Sequence, residues 1–572
     1  MSFMNYVPIH GLRMLAVESS ILFAAFLIAY VGLRFLHPEV RRPRWLAWIP
    51  WILGSNLRPV LFVIAVALAG RALLLPAVGI PQPRINDEYS YLLMADTFSH
   101  HRLTNPTPPA WQHFETFHVN MTPTYHSKYP VSQGIALAFG QIVFHQPWIG
   151  VYLSTALLCG AICWCLQAFV PPGWALLGGL LAVVRIALLS YWMNSYWGGS
   201  MAALGGALAL GALVRLFDPQ RTERNRLLLA SLFAVSLLIL ATSRPYEGFA
   251  FSLPLLVYFG YQTVRARIGT KALLRATVLP VVVIGLAGVV LMAYYNKKTT
   301  GSPLLLPYVL YQRTYPDLPL ALPLFLGQGA RPYLPARDPV FEKWYAVLVE
   351  EHGYQQTNTV SGLVALEARR LGINWLFYVG PALSFPVLLG FLSCITQRRL
   401  RIAVAVTIAT GAAIAMSVVS QVHYFSPATA AVYIFAVAGL HYLWQQQKDG
   451  ERAFVIAVCL TVVAVSVSRQ TGSTANTVFA FRDARKLVAQ QLKNQPGKQL
   501  VLVSYDLQRH YPGNELVHNG ADFNSETILW ARSKGEGNDR ELCQAYSDRT
   551  FWSVKTDDVN LSLIPLDLCK HP

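Results

Sequence analysis

Residues 198–243 read GGSMAALGGALALGALVRLFDPQRTERNRLLLASLFAVSLLILATS. Two apolar runs, 198–217 and 227–243, flank a basic connection holding Arg215, Arg221, Arg224 and Arg226. Runs of this size approach the ~20 residues that cross roughly 30 Å of hydrocarbon. Cytoplasmic loops of membrane proteins concentrate Lys and Arg. Two apolar runs joined by a basic hinge therefore read as two membrane spans with a cytoplasmic turn.

The same unit recurs in both directions. About twelve spans are expected, at 14–36, 58–78, 148–169, 174–191, 198–217, 227–243, 248–264, 277–295, 374–395, 402–420, 426–444 and 453–468. Composition agrees: only 13% of the 572 residues are charged, against roughly 25% in soluble domains. The fold class expected is an α-helical polytopic membrane protein. Its net charge of +17 first suggests an acidic partner such as nucleic acid. The basic residues, however, gather in alternate connections, among them Arg34 to Arg58, Arg265 to Arg275, Arg398 to Arg401 and Lys448 with Arg452. That placement is a topology signal, and no nucleic-acid partner is expected. It puts three long segments, 79–147, 296–373 and 470–572, on the extracytoplasmic side of a plasma (cell inner) membrane. The N-terminus is expected outside as well.

Two domains follow: residues 1–469 as the membrane body with outer loops 79–147 and 296–373, and residues 470–572 as a small extracytoplasmic α/β domain. In that tail, 477–493 has helical periodicity, and QLVLVS (499–504) and RTFWSVK (549–555) read as strands. Of seven cysteines, Cys543 and Cys569 lie in the tail, where an oxidising compartment permits a bridge that spacing alone does not establish. No Cys/His cluster has zinc spacing, so no cofactor is expected, with a divalent metal left open.

The chemistry concentrates in the first outer loop. RINDEYSYLLMADTFSHHRL (84–103) carries the adjacent acids Asp87 and Glu88. They read either as a general base for a lipid-borne substrate or as the polar first turn of a surface helix. Further on, YHSKYPVSQG places Lys128 before Tyr129-Pro130, where an ammonium holds a lipid phosphate or snorkels from a helix start. Arg244 in SRPYEG, Lys297 with Lys298, and His423-Tyr424 in QVHYFSP stand at outer span ends and suit a phosphate site. Arg71 and Arg185 lie inside spans, where a charge defaults to a functional hypothesis.

The acidic pair opening the first outer loop, the Lys128-Tyr129-Pro130 element and the multi-span body with an outer tail resemble the C-type glycosyltransferase (GT-C) superfamily. The group most similar is that of the protein O-mannosyltransferases and the lipid A aminoarabinose transferases. The resemblance implies that the first-loop acid, Asp87 or Glu88, is catalytic. It also relates Lys128 to the family's Lys-Pro-Pro element, whose first proline is Tyr129 here, and His423-Tyr424 to an aromatic-Pro turn whose preceding position is often basic. The function implied is an inverting transfer of a sugar from a polyprenyl-phosphate donor to a lipid, glycan or protein acceptor outside the membrane. The competing class is a transporter or flippase. Such proteins place ionisable groups near the bilayer midplane, whereas acids are nearly absent from the span centres here.

Overall fold

A computed structural model describes residues 3–35, 48–265, 268–315, 318, 339–351, 354–397, 400–476, 484–505, 515–556 and 563–568. Each expected span coincides largely with helix. Among the described residues, six helices are long and apolar enough to cross a membrane: Leu15–Phe35, Leu57–Val78, Trp148–Leu166, Glu223–Ser243, Thr270–Thr300 and Val422–Gln445. A bent pair, Val360–Tyr378 with Gly380–Thr396, makes a seventh. Pro172–Leu188, Ser200–Leu216 and Arg401–Met416 are shorter apolar helices in the same bundle.

Packing in the bundle depends on small residues that let backbones meet. Between Gly380–Thr396 and Val422–Gln445, a Cβ on Gly390 would sit 1.8 Å from the Phe435 carbonyl oxygen. One on Gly439 would sit 2.0 Å from that of Pro386. Only glycine permits that crossing.

The stretch 374–395, expected as one span, is instead broken by 97°. Gly380 supplies the turn at φ 66°, a region most side chains avoid. A break inside a bundle leaves carbonyls and N–H groups without helical partners. Arg185 takes the carbonyls, donating from Nε to Phe377 (2.9 Å) and from an Nη to Leu376 (2.9 Å). Glu18 takes the following N–H, that of Ala382, at 3.1 Å. Arg71 does the same work elsewhere, donating to the carbonyls of Leu188 (3.2 Å) and Gly79 (3.3 Å) and to Asn194 Oδ1 (2.8 Å). Both buried guanidinium groups thus serve helix ends.

At one end of the bundle, residues 79–147 form a compact unit. Helix Asn86–Ser99 packs on helix Val131–Phe144, and a short antiparallel hairpin, β1 (Val119–Asn120) with β2 (His126–Ser127), lies against them. Val131–Phe144 spans only about 21 Å at 1.5 Å per residue and exposes Ile135, Phe139, Ile142 and Val143. That apolar stripe suits a helix lying in a membrane interface.

The C-terminal segment builds a four-stranded sheet of order β4-β3-β5-β6 from β3 (Lys498–Tyr505), β4 (Ile528–Arg532), β5 (Arg549–Thr556) and β6 (Leu563–Leu566). β3 runs parallel to β4 and β5, while β6 returns antiparallel. The buried run Gln499–Val503 marks β3 as central. The two expected strands are β3 and β5, whereas β4 and β6 were not foreseen. Helix Ala484–Leu492 covers one face through Val488 and Leu492. The other face packs Leu500, Leu502 and Phe551 with Phe114, Val119 and Tyr125 of the first loop. The helix expected over 477–493 is described only from Ala484. Cys543 is a disulfide cysteine; Cys569, Arg398, Arg399 and the prolines 316, 319, 323, 332 and 335 lie outside the described residues.

Candidate active site

Helix Asn86–Ser99 begins at an extended Ile85 (φ −129°, ψ 158°) and carries both acids in its first turn. Their geometry separates them. Glu88 is 2% exposed, and all its hydrogen bonds come from backbone. Oε2 accepts from the N–H groups of Arg84 (2.6 Å) and Ile85 (3.3 Å), the reach-back of a capping box. Oε1 accepts from the N–H of Tyr196 (2.9 Å). Burial pushes its pKa up to about 8, against the hydrogen bonds, which favour the carboxylate.

Asp87 is 24% exposed. Tyr129 donates its phenol to Oδ1 at 2.5 Å, and His118 Nε2 lies 3.6 Å from Oδ2. Burial, then the Asp87 charge, raises the Tyr129 pKa well above its ordinary value, so the phenol stays a donor. The loop is folded to bring these groups together. Ser90 donates to the His118 carbonyl (2.6 Å) and shares a hydrogen bond with Ser127 (2.7 Å), and Lys128 N–H donates to the same carbonyl (3.1 Å). His118 itself sits at φ 65°. The helix is in effect stitched to positions 118 and 127, which carries His118, Lys128 and Tyr129 to Asp87.

Lys128 is 3% exposed. Its ammonium lies over Tyr311 (4.3 Å), Tyr308 (4.9 Å) and Tyr129 (5.6 Å). Tyr308 and Tyr311 belong to helix Pro307–Thr314 of the second long loop. On the other side, Tyr91 stacks on Tyr129 at 4.5 Å. Burial raises the Tyr91 pKa. The Arg244 guanidinium opposes that rise, and Asp87, Tyr424 and Glu247 add to it. Arg244 lies over the Tyr424 ring at 4.3 Å. Asp87, Lys128, Arg244 and Tyr424 therefore border one another through Tyr91 and Tyr129.

Other sequence-selected residues stand apart. Lys297 and Lys298 are exposed in the last turn of Thr270–Thr300, Lys298 over Tyr294 at 5.6 Å. No contact among the described residues joins them to Asp87. His423 is buried, with Nδ1 3.1 Å from the Tyr191 hydroxyl and its ring edge-on to Trp197. Arg71 and Arg185 hold the helix ends described above. His118, Tyr129, Tyr91 and Tyr311 were not selected from the sequence as site residues. Tyr129 stood in the Lys128-Tyr129-Pro130 element without a role of its own, Tyr91 and His118 lie in a first loop rich in His and aromatic residues, and Tyr311 comes from the second long loop. Among the described residues, no three His, Cys, Asp or Glu side chains group as metal ligands.

No protein-family model and no curated protein sequence matches the chain. Solved structures do. ArnT from Cupriavidus metallidurans in the apo state is 12% identical, with 87% of this chain and 93% of that chain covered and a TM-score of 0.50. The same protein bound to undecaprenyl phosphate is 13% identical over the same shares, with a TM-score of 0.47. The Archaeoglobus fulgidus oligosaccharyltransferase tethered with an acceptor peptide is 11% identical, covering 89% of this chain and 69% of that one, with a TM-score of 0.47. ArnT is a GT-C glycosyltransferase. The likeness to apo ArnT spans nearly all of both chains, so the resemblance drawn from the span pattern and first loop holds at the level of the fold.

Proposed function

We propose that the chain is a membrane glycosyltransferase that moves a sugar from a polyprenyl-phosphate donor to an acceptor on the extracytoplasmic side, with inversion. Residues 1–469 form its catalytic body and residues 470–572 an outer α/β domain. The observation that carries the reading is Asp87, a part-exposed carboxylate fixed by Tyr129 at 2.5 Å and bordered by Lys128 and Arg244. The fold supports it, being that of a protein also solved with undecaprenyl phosphate.

In this reading the acceptor hydroxyl or amine passes its proton to Asp87 as its oxygen or nitrogen bonds to the anomeric carbon. The bond from that carbon to the phosphate oxygen breaks, and its electron pair leaves on the lipid phosphate. Lys128 and Arg244 offset the charge developing there, and the carboxylate favours the oxocarbenium character of the ring. Tyr129 occupies Asp87 Oδ1, and the acceptor approaches Oδ2, which His118 Nε2 flanks at 3.6 Å. Tyr308 and Tyr311 cover Lys128 from the second loop, which shields its charge from water and strengthens its pull on a phosphate. Glu88 holds the frame.

Asp87→Asn tests the reading. With purified protein and a polyprenyl-phosphate sugar, transfer is expected to fall by ~10²–10⁴, while thermal stability in detergent stays unchanged. Full activity in that variant discards Asp87 as the base.

A further inference from the structure

A cavity of about 340 Å³ lies between the first loop and the C-terminal sheet unit. On one side it is lined by Tyr89, Leu92, Leu93 and Asp96. Their spacing puts them on a single stripe of helix Asn86–Ser99, whereas Asp87 and Tyr91 lie on another. Arg485, His518 and Glu526 line the opposite side. The stripe from Tyr89 to Asp96 runs about 10 Å at 1.5 Å per residue, and its near end is two residues from Asp87.

The walls are built rather than incidental. Asp96 Oδ2 accepts from the N–H of Ala521 at 2.6 Å, and Oδ1 accepts from Gln141 at 3.0 Å. Glu526 Oε1 accepts from the N–H of Gly520 at 3.1 Å. His518 is 3% exposed and stacks on Tyr89 at 4.0 Å. Its Nδ1 meets Thr116 Oγ1 at 3.3 Å, and its Nε2 has no hydrogen-bond partner among the described residues. Burial, with Arg485 and His118 adding, holds the His518 pKa well below the ordinary value.

Charge selects the ligand class. Two carboxylates face one guanidinium, and Arg485 already donates to the carbonyls of Leu516 (2.5 Å) and His518 (2.6 Å). Among the described residues the lining holds no Lys and no second Arg to bind a phosphate. What the walls offer is acceptor capacity, since each carboxylate oxygen keeps lone pairs beyond the bond it makes. They also offer the unpartnered imidazole nitrogen and the apolar faces of Leu92 and Leu93. A ligand rich in hydroxyl groups and without negative charge satisfies all of these. The volume lies at the small end of the range for ligand sites.

We propose that this cavity binds an uncharged sugar ring. Given the transferase reading, on which this last identification rests, that ring is one residue of a longer glycan acceptor: Asp87 lies about 200° round the helix from Tyr89 at 3.6 residues per turn, so the hydroxyl that reaches it belongs to a further residue of the same glycan. The acceptor class is thereby a glycan.

Ligand-observed saturation-transfer NMR on the detergent-purified full chain tests it. The probes are methyl glycosides of glucose, galactose, mannose and arabinofuranose, with glucosamine as the cationic control and glucose 1-phosphate as the anionic one. Ring protons of at least one neutral glycoside should receive saturation. Leu92→Trp, which fills the cavity, should abolish the signal. Glu526→Gln keeps an oxygen for the Gly520 N–H and should weaken binding about tenfold, as loss of one charge-assisted hydrogen bond does. The signal should persist in Asp87→Asn, whose change lies on the other stripe. Absence of signal from every neutral glycoside, survival in both cavity variants, or preference for glucosamine or glucose 1-phosphate overturns the proposal. If the purified chain transfers no sugar from a polyprenyl-phosphate donor while glycoside binding behaves as expected, the transferase reading falls and the sugar site stands.

Discussion

Glu88→Gln sets two opposed effects against each other. Three backbone N–H groups converge on the Glu88 carboxyl, from Arg84, Ile85 and Tyr196. A glutamine has one acceptor oxygen, so its NH2 must face at least one of those donors. A buried donor left unmatched costs about 1–3 kcal/mol, and that is the expected deficit at pH 5. Burial also holds the folded-state pKa at about 8, above its ordinary 4.5. Between those values the folded state binds more protons than the unfolded one. The Glu88 contribution is therefore full below about 4.5 and is lost as pH rises through about 8. The window corresponds to a change on the order of 5 kcal/mol at most. Glutamine does not titrate, so the deficit of the variant should shrink with rising pH and close or reverse near pH 8.5. Thermal unfolding in detergent, followed by tryptophan fluorescence from pH 5 to 9, measures both curves. A deficit that widens with pH would refute the reasoning. It would mean that the hydrogen bonds to the ionised form outweigh its desolvation.

The cationic groups should divide by location. Lys128→Gln and Arg244→Lys are expected to slow transfer roughly 10- to 100-fold, the value of a charge-assisted contact or of a lost guanidinium fork, while the exposed Lys297→Gln and Lys298→Gln stay near wild-type rate; equal effects across all four would dissolve the grouping around Asp87. For topology, a single cysteine placed at the 41%-exposed His100 should react with an impermeant maleimide from outside intact cells. Labelling only after the cytoplasmic face is opened would reverse the orientation.

The multi-span helical character was legible because hydrocarbon thickness acts on local composition, although six or seven helices among the described residues, against about twelve expected spans, are long and apolar enough to cross. The Gly380 break was not. Residues 374–395 carry no charge, and what stabilises the bend is Glu18, Arg185 and the carbonyls of Leu376 and Phe377, which meet only in the fold. Reading Arg71 and Arg185 as unusual was justified, yet an intramembrane charge signals a need for hydrogen bonds as readily as a ligand. Here both guanidinium groups donate to carbonyls of broken or ending helices, and Arg71 also to the Asn194 side chain. In the tail, the strand with five buried residues in succession was visible, whereas Leu563–Leu566, half-buried or exposed along its length, carries no such mark.

The acid pair shows the same division more sharply. Adjacent carboxylates at a helix start announce a first turn, and the position of Glu88 three residues past Ile85 is that of a capping-box acid. Ile85 has no capping side chain, however, and a cap read at Asn86 or Asp87 leaves Glu88 short of that position, so the sequence did not show that Glu88 turns to the backbone. What it also lacked was a way to see that Asp87 meets Tyr129 and His118, since those contacts depend on Ser90 binding the His118 carbonyl and on the left-handed turn there. A site assembled from one helix turn and two loop positions leaves a local signature only for the helix. The same helix also divides the region, with Asp87 and Tyr91 turned to the cations and Tyr89 and Asp96 to the C-terminal cavity. The proposed base on one side and the proposed sugar surface on the other, fixed by one rigid element, keep their relative positions without any loop having to order them.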